Sequence, residues 1–392
     1  MQVGAVLVLG GCIGNDMSQP SARKYFPQPM PSFFGAPAAM LDLLGEPILF
    51  RIIESLNKSR VGPLFLIADD SFAGHAAVQD IGRWRVQVRN VPGEELRTAT
   101  QAALTTCRES GARAAIVMQA SAYMELDIAE MLAFHVASGR PVTSAQDSGG
   151  PLGLMMVGSE STGQIQLPER RPPQPQPAPL EYTHRQYANR LSTPLDLRRL
   201  AQDALLQRCS IRPNGKELRP GVWVAPSARV HPRARVVNPS YIGAHTRLRS
   251  GVVITRGTTI EHHCEVDRGS VVENATILPH TYLGSSLDIA HSVVNRNRMV
   301  DVRRAIEVEI SDRSLIGSTS ALPKSALRPP AEKSLPAKDR SQRRTLSEVC
   351  SAFLPKRTFL SPASVRFSYP DAETEPELGE LPGTADSRTA RG

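Results

Sequence analysis

His262, His263 and His280, with His245, are the residues of this 392-residue chain whose spacing points most directly to chemistry. His245 and His263 are eighteen residues apart, as are His262 and His280. In a chain that winds once every eighteen residues they would form two imidazole ladders. Such ladders suit a general base or a metal site, or are plain exposed corners. A second candidate lies near the start, where an apolar run over 5–9 ends in Gly10 and Gly11. A strand followed by glycines can present backbone N–H groups to a phosphate. Gly10, Gly11 and Gly14 match neither the GxGxxG nor the GxxxxGK[ST] spacing, so a structural turn is an equal reading.

The eighteen-residue winding has independent support. Every sixth residue from Val224 gives Val230, Val236, Ile242, Leu248, Ile254, Ile260, Val266, Val272 and Leu278, an unbroken aliphatic column. Chance produces such a run on the order of once in a million, given ordinary aliphatic usage. Four residues after each comes a second column, Ala228, Ala234, Ser240, Thr246, Val252, Thr258, Cys264, Ser270, Thr276 and Tyr282, small or β-branched in all but the last. Helices repeat at three and four residues and half-buried strands at two. A period of six fits a hexapeptide-repeat parallel β-helix, in which three hexads close one triangular coil. Stacking then places Arg247 over Glu265, Arg249 over Asp267 and Arg229 over Arg247, a solvated face with weak ion pairs. The register slips by one after Leu278 and resumes at Leu283 and Ile289, so the coil is expected to end near Arg298, with a last strand over 306–310.

Upstream, strands are predicted over 5–9, 64–68, 84–88, 114–118, 141–145 and 152–157, and helices over 47–56, 94–108 and 127–137. The alternation implies an α/β domain with a mainly parallel sheet. Residues 15–39 read as a long loop, and the Pro-rich stretch 166–180 as a linker. Residues 193–209 are helical again, with Pro194 in the first turn. The expected organisation is an α/β domain over 1–160, a Pro-rich linker or insertion over 161–192, a closing helix and connection over 193–218, a β-helix over 219–316, and a disordered tail over 317–392 with a short helix near 346–353.

The net charge of +8 is dispersed and aromatics are only 5%, which argues against nucleic acid as a partner. Five widely spaced cysteines without a CxxC pair indicate a reducing compartment. With no leader and no apolar run of membrane length, a cytoplasmic protein without a membrane partner is expected. The flat faces of a β-helix suit self-association, so a homo-oligomer is expected through it.

These parts, in this order, resemble the nucleotide-sugar pyrophosphorylases, also called sugar-1-phosphate nucleotidyltransferases. The resemblance spans residues 3–315: the opening strand with Gly10-Gly11, the segment Met40-Leu41-Asp42-Leu43-Leu44-Gly45-Glu46-Pro47, the β-helix, and gapless matches over 116–135, 141–157 and 191–206. It implies an α/β class protein, a truncated nucleotidyltransferase-like parallel-sheet domain followed by a left-handed parallel β-helix. That handedness is an exception to the usual crossover rule.

The family joins a sugar phosphate to a nucleoside triphosphate and expels pyrophosphate. A reaction among anions needs Mg²⁺ on carboxylates and cationic side chains. At the positions that the resemblance assigns these roles, the chain departs from it. The glycine-rich loop reads Gly10-Gly11-Cys12-Ile13-Gly14-Asn15-Asp16, without the family's arginine. The family's lysine falls on Ala38, or on Gln28 in an alternative alignment, and its two metal-binding aspartates fall on Ser121 and Arg190. Only about 35 residues separate Val157 from Thr193, where the family carries a longer sugar-binding lobe.

The expectation is therefore a degenerate family member without confidently assigned catalytic residues or metal ligands. It would bind a nucleotide or nucleotide sugar through Gly10, Gly11 and Arg190, as a regulatory or scaffold module of bacterial polysaccharide or sugar-nucleotide metabolism. No cofactor is expected, and Mg²⁺ only if transfer survives on rearranged ligands such as Asp16, Asp69 or Asp70. The remaining alternative, implied by bifunctional relatives, is acyl transfer with His262, His263 or His280 as base.

Overall fold

The computed structural model describes residues 2–10, 30–75, 78, 80–159 and 180–321. Gly11, Gln28, Asp16, most of the Pro-rich stretch, and the tail with its predicted helix near 346–353 lie outside the described residues.

The first strands are β1 (Val3–Leu9), the hairpin β2 (Ser32–Phe33) and β3 (Ala36–Pro37), and the hairpin β4 (Asp42–Leu43) and β5 (Glu46–Pro47). Helix α1 (Ile48–Lys58) follows, then β6 (Leu64–Asp69), β7 (Gln87–Val91), α2 (Leu96–Glu109), β8 (Ala114–Gln119), β9 (Tyr123–Met124) and α3 (Ile128–Ser138). Next come β10 (Val142–Asp147), β11 (Gly150–Gly158), β12 (Leu180–Thr183), β13 (Ala188–Asn189) and α4 (Pro194–Leu205). Seven strands form one sheet in the order β12-β10-β11-β8-β1-β6-β7. Strand β11 runs antiparallel to both neighbours, and the other pairs are parallel. β1 lies inside this sheet, and each of its residues is buried, as a continuous apolar run requires of a central parallel strand.

Local signals set the helix starts. The Asp127 carboxylate accepts from Glu130 N at 2.9 Å ahead of α3. Thr193 and Asp196 form a reciprocal capping box around Pro194 at the head of α4. In α1, Ile48, Leu49, Ile52, Ile53 and Leu56 fall on one buried face.

Several expectations need correction. The stretch 84–88 enters its strand only at Gln87, because Asp80–Trp84 winds as a 3-10 turn. The second half of the expected loop over 15–39 contains the β2–β3 hairpin. The expected linker over 161–192 supplies β12, which adds in parallel to β10, and β13, which pairs with β9. Tyr182, buried beneath the sheet edge, gives β12 an apolar anchor that composition alone concealed.

From Val222 the chain winds as three parallel sheets. One face stacks Val222–Val224, Ser240–Ile242, Thr258–Ile260, Thr276–Ile277 and Ser292–Asn295. A second stacks Arg229–Val230, Arg247–Leu248, Glu265–Val266 and Thr281–Leu283. The third stacks Arg235–Val236, Val253–Thr255, Val271–Glu273 and Asp288–Ala290. Partners such as Ser240 and Thr258 are eighteen residues apart, as the sequence period requires. Ile242, Ile254, Ile260, Val266 and Val272 are fully buried, and the small column from Ser240 to Ser270 is buried beside them.

The register slip, however, precedes Ile277. Ile260 stacks on Ile277, seventeen residues on, so Leu278 is not the tenth member of the column. Leu278 is buried too, but in the cluster that holds the α/β core, and an aliphatic at either position satisfies a period count. At the corner where the residue is lost, Asn274 receives α4. Arg198 Nε donates to Asn274 O at 2.6 Å, and Gln202 Nε2 donates to its side-chain oxygen at 2.7 Å. Burial holds the Arg198 guanidinium down at about 10.

The parallel stacking ends at Ser292–Asn295, close to the expected Arg298, and the expected strand over 306–310 is present as Ile306–Glu309, though it is not the last. Arg298–Asp301 and Ile306–Glu309 turn back as antiparallel strands, and Ile316–Ser318 pairs antiparallel with Thr281–Leu283. These additions cover the last coil. At the other end Lys216–Arg219 pairs antiparallel with Val222–Val224, and Val230 remains 38% exposed.

Tyr241 is fully buried between the two parts, and its hydroxyl has no hydrogen-bond partner among the described residues. Tyr241→Phe is therefore expected to leave the urea midpoint unchanged or raise it slightly, within about 1 kcal/mol, since it removes a hydroxyl that gains nothing. A loss of about 2 kcal/mol or more would show that the hydroxyl is bonded.

Candidate functional site

In an open α/β sheet, ligands bind outside the carboxyl ends of the strands where the strand order reverses. Here β1 is followed by β6 and β7 on one side, and the chain then crosses to β8 on the other. The reversal lies between the ends of β1 and β8, and it brings Gly10 and Ser121 to one edge. Ala120 N donates to Val8 O at 3.0 Å, which ties the two strand ends together. Gly10 is also a packing position, because a Leu96 methyl lies only 2.6 Å from where its Cβ would stand.

Ser121 sits half-buried just past β8, beside Gly153 on the antiparallel neighbour β11. Arg190 reaches the start of the same strand. Its Nη1 donates to Pro151 O at 2.6 Å and its Nη2 to Gly150 O at 2.8 Å. Nη2 also pairs with the Asp147 carboxylate. Arg190 thus clamps the turn between β10 and β11, and Asp147 neutralises it. Ala38 is fully buried in a single 3-10 turn, its N–H held by Pro31 O at 2.8 Å, so a methyl fills the place that the resemblance gives to a lysine.

A hard divalent cation such as Mg²⁺ needs carboxylates free to ligate it. Asp69, at the end of β6, accepts from Ser71 N at 2.8 Å and caps the turn that follows. Asp147 is paired with Arg190. Asp70, the remaining candidate, lies exposed in the turn that Asp69 caps. A groove lined by Phe33, Phe34, Pro194, Leu195, Val300 and Val302 contains none of these residues.

The histidines do meet, and they meet at the seam between the sheet domain and the coil. The rings of His245 and His263 lie 4.7 Å apart, those of His262 and His280 5.2 Å, and His263 stacks on His280 at 5.0 Å, so the two ladders merge into one cluster. His262 Nδ1 lies 2.9 Å from His263 Nδ1, and His262 Nε2 lies 2.8 Å from the Asp42 carboxylate on β4. The hydrogen bond to Asp42 raises the pKa of His262. Burial and the neighbouring imidazoles lower those of His263 and His280.

Next to His262, Glu261 is fully buried and accepts from Leu44 N and Gly45 N, each at 2.8 Å. Burial and the nearby Asp42 push its carboxyl up to about 7 against those two bonds. Arg51 holds the other side of the hairpin turn, donating to Leu44 O at 3.1 Å. The segment Asp42 to Gly45 is thus the peg that seats the α/β part on the coil. Neither contact was visible in the sequence, since Asp42 and His262 are 220 residues apart. The predicted Arg247 and Glu265 stack is present, but Arg249 bonds diagonally to Glu265 at 2.8 Å instead of pairing with Asp267, which accepts from Tyr282.

No family model matches this chain, and no curated protein matches it. Among solved structures it is similar to HddC from Yersinia pseudotuberculosis, in one crystal structure complexed with GMP-PN and in another described without a ligand. Identity is 14% in both, the TM-scores are 0.35 and 0.34, and the match covers 51% of this chain and 99% of that one. At that likeness, function is argued from the chain's own geometry.

No described helix is long and apolar enough to cross a membrane. Cys107, Cys209 and Cys264 are free and buried.

Proposed function

We propose that this chain is a nucleotidyltransferase-like protein, built from a pyrophosphorylase-type α/β domain and a left-handed parallel β-helix, that binds a nucleotide or nucleotide sugar without metal and does not transfer it. It would serve as a regulatory or scaffold module in sugar-nucleotide or polysaccharide metabolism. One observation carries the reading. At the strand-order reversal, where phosphates are placed in such sheets, Ser121 stands in place of one carboxylate, and at the β10–β11 turn Arg190, paired with Asp147, stands in place of the other. The backbone of Gly10 and Gly11, and the Arg190 guanidinium in exchange for Asp147, are the groups that would meet an anion.

Calorimetry of the purified full chain with nucleoside triphosphates and nucleotide sugars tests the binding, in EDTA and in Mg²⁺. Saturable binding of equal strength in both is expected, lost in Arg190→Asp, with urea denaturation of the variant separating loss of the anion contact from loss of the β10–β11 clamp. Binding that requires Mg²⁺, or no binding to any member of the panel, would overturn it.

A further inference from the structure

The histidine cluster lies away from the strand-order reversal and has no part in the function proposed above. His262, His263 and His280 each offer a ring nitrogen, and these atoms all lie within 4.8 Å of one another. Tetrahedral ligation with bonds of about 2.0–2.1 Å sets nitrogens roughly 3.3 Å apart. Ligation therefore requires the His263 and His280 rings to turn. His263 is exposed and His280 half-buried, so both rings have room to turn.

The main chain beneath them is fixed. His263 N donates to Ala244 O at 2.8 Å, His280 N to His262 O at 3.2 Å, and Thr319 N to His280 O at 2.9 Å. The three rings therefore project from adjacent coil corners that cannot drift apart.

Asp42 is the second, independent feature. Imidazoles that bind metals characteristically give their other N–H to a carboxylate, which fixes the tautomer and raises the basicity of the ligating nitrogen. His262 Nε2 makes such a contact with Asp42 Oδ2 at 2.8 Å, which turns His262 Nδ1 toward His263. Three imidazoles without a thiolate or free carboxylate suit zinc-class divalent transition metals over Mg²⁺ or Ca²⁺.

We infer that His262, His263 and His280 form a three-histidine site for a zinc-class divalent cation, with Asp42 orienting His262 from the α/β side of the seam. One position stays open to solvent, as three protein ligands leave in a tetrahedral site. Because Asp42 belongs to the hairpin that seats on the coil, the bound ion also fastens the seam.

The test uses full-length protein without a histidine tag, stripped with chelator and titrated with ZnCl₂ and, separately, CoCl₂. One equivalent of Zn²⁺ per chain is expected, with a Co²⁺ visible spectrum of tetrahedral intensity and a rise in melting temperature on adding Zn²⁺. His263→Ala and His280→Ala, whose exposed or half-buried rings support little of the core, are expected to abolish all three responses. Asp42→Asn is expected to weaken Zn²⁺ binding by about 10- to 100-fold. Substoichiometric binding by the unaltered chain, or one-equivalent binding that survives either histidine substitution, would overturn the assignment. The EDTA arm of the nucleotide titrations leaves this site empty, so its outcome is independent of it.

Discussion

Glu261→Ala is expected to destabilise the protein by about 3 kcal/mol, the sum of two buried N–H groups left without an acceptor. The carboxylate is fully buried and is the partner of both Leu44 N and Gly45 N. The hairpin that carries those N–H groups also carries Asp42. Glu261→Gln keeps one acceptor oxygen and should cost only about 1 kcal/mol. Urea denaturation of the two variants, followed by far-ultraviolet circular dichroism, reads the difference. A loss below about 1 kcal/mol for Glu261→Ala would mean that the seam is held by apolar packing alone.

Gly243→Val should be at least as damaging, at about 3 kcal/mol or more, for a steric reason. A Cβ at Gly243 would stand 2.5 Å from the carbonyl carbon of Glu261 and 2.6 Å from His262 N. Both atoms are backbone of the next coil, held by the ladder from Gly243 N to Ile260 O at 2.7 Å, so neither can give way. Gly82→Ala is the control, because nothing lies within 4 Å of its added Cβ, and it should stay within about 1 kcal/mol. Equal midpoints for the two variants would show that the coils do not stack as closely as described.

The coil was legible because its signal is redundant. Two columns repeat every six residues, and a chance match in one is corrected by the other. Their limit is visible at Leu278: Ile277 and Leu278 are both aliphatic, and only the pairing of Ile260 with Ile277 tells which one enters the column. The small column carried the same information, since buried Thr281, not Tyr282, is its last member.

The sheet strands were legible as apolar runs. β12 was hidden because a short edge strand anchored by one buried tyrosine has too few apolar residues to outweigh the prolines before it.

At the candidate sites the same division holds. Strand ends placed Gly10 and Ser121 at one edge, and an eighteen-residue period placed the histidines together. What the period could not supply was any partner from outside the coil: Asp42 for His262, and the Leu44 and Gly45 amides for Glu261. Those contacts depend on how the α/β part is seated, and no local pattern encodes them.

The most direct measurement is pyrophosphate release by the purified chain, supplied with Mg²⁺, a panel of nucleoside triphosphates and a panel of sugar 1-phosphates. With Ser121 and a neutralised Arg190 where free carboxylates would have to stand, release indistinguishable from the protein-free control is the expected result. Mg²⁺-dependent turnover with any pair, lost on substitution of Asp69 or Asp147, would contradict the loss of transfer chemistry and identify the carboxylates that sustain it.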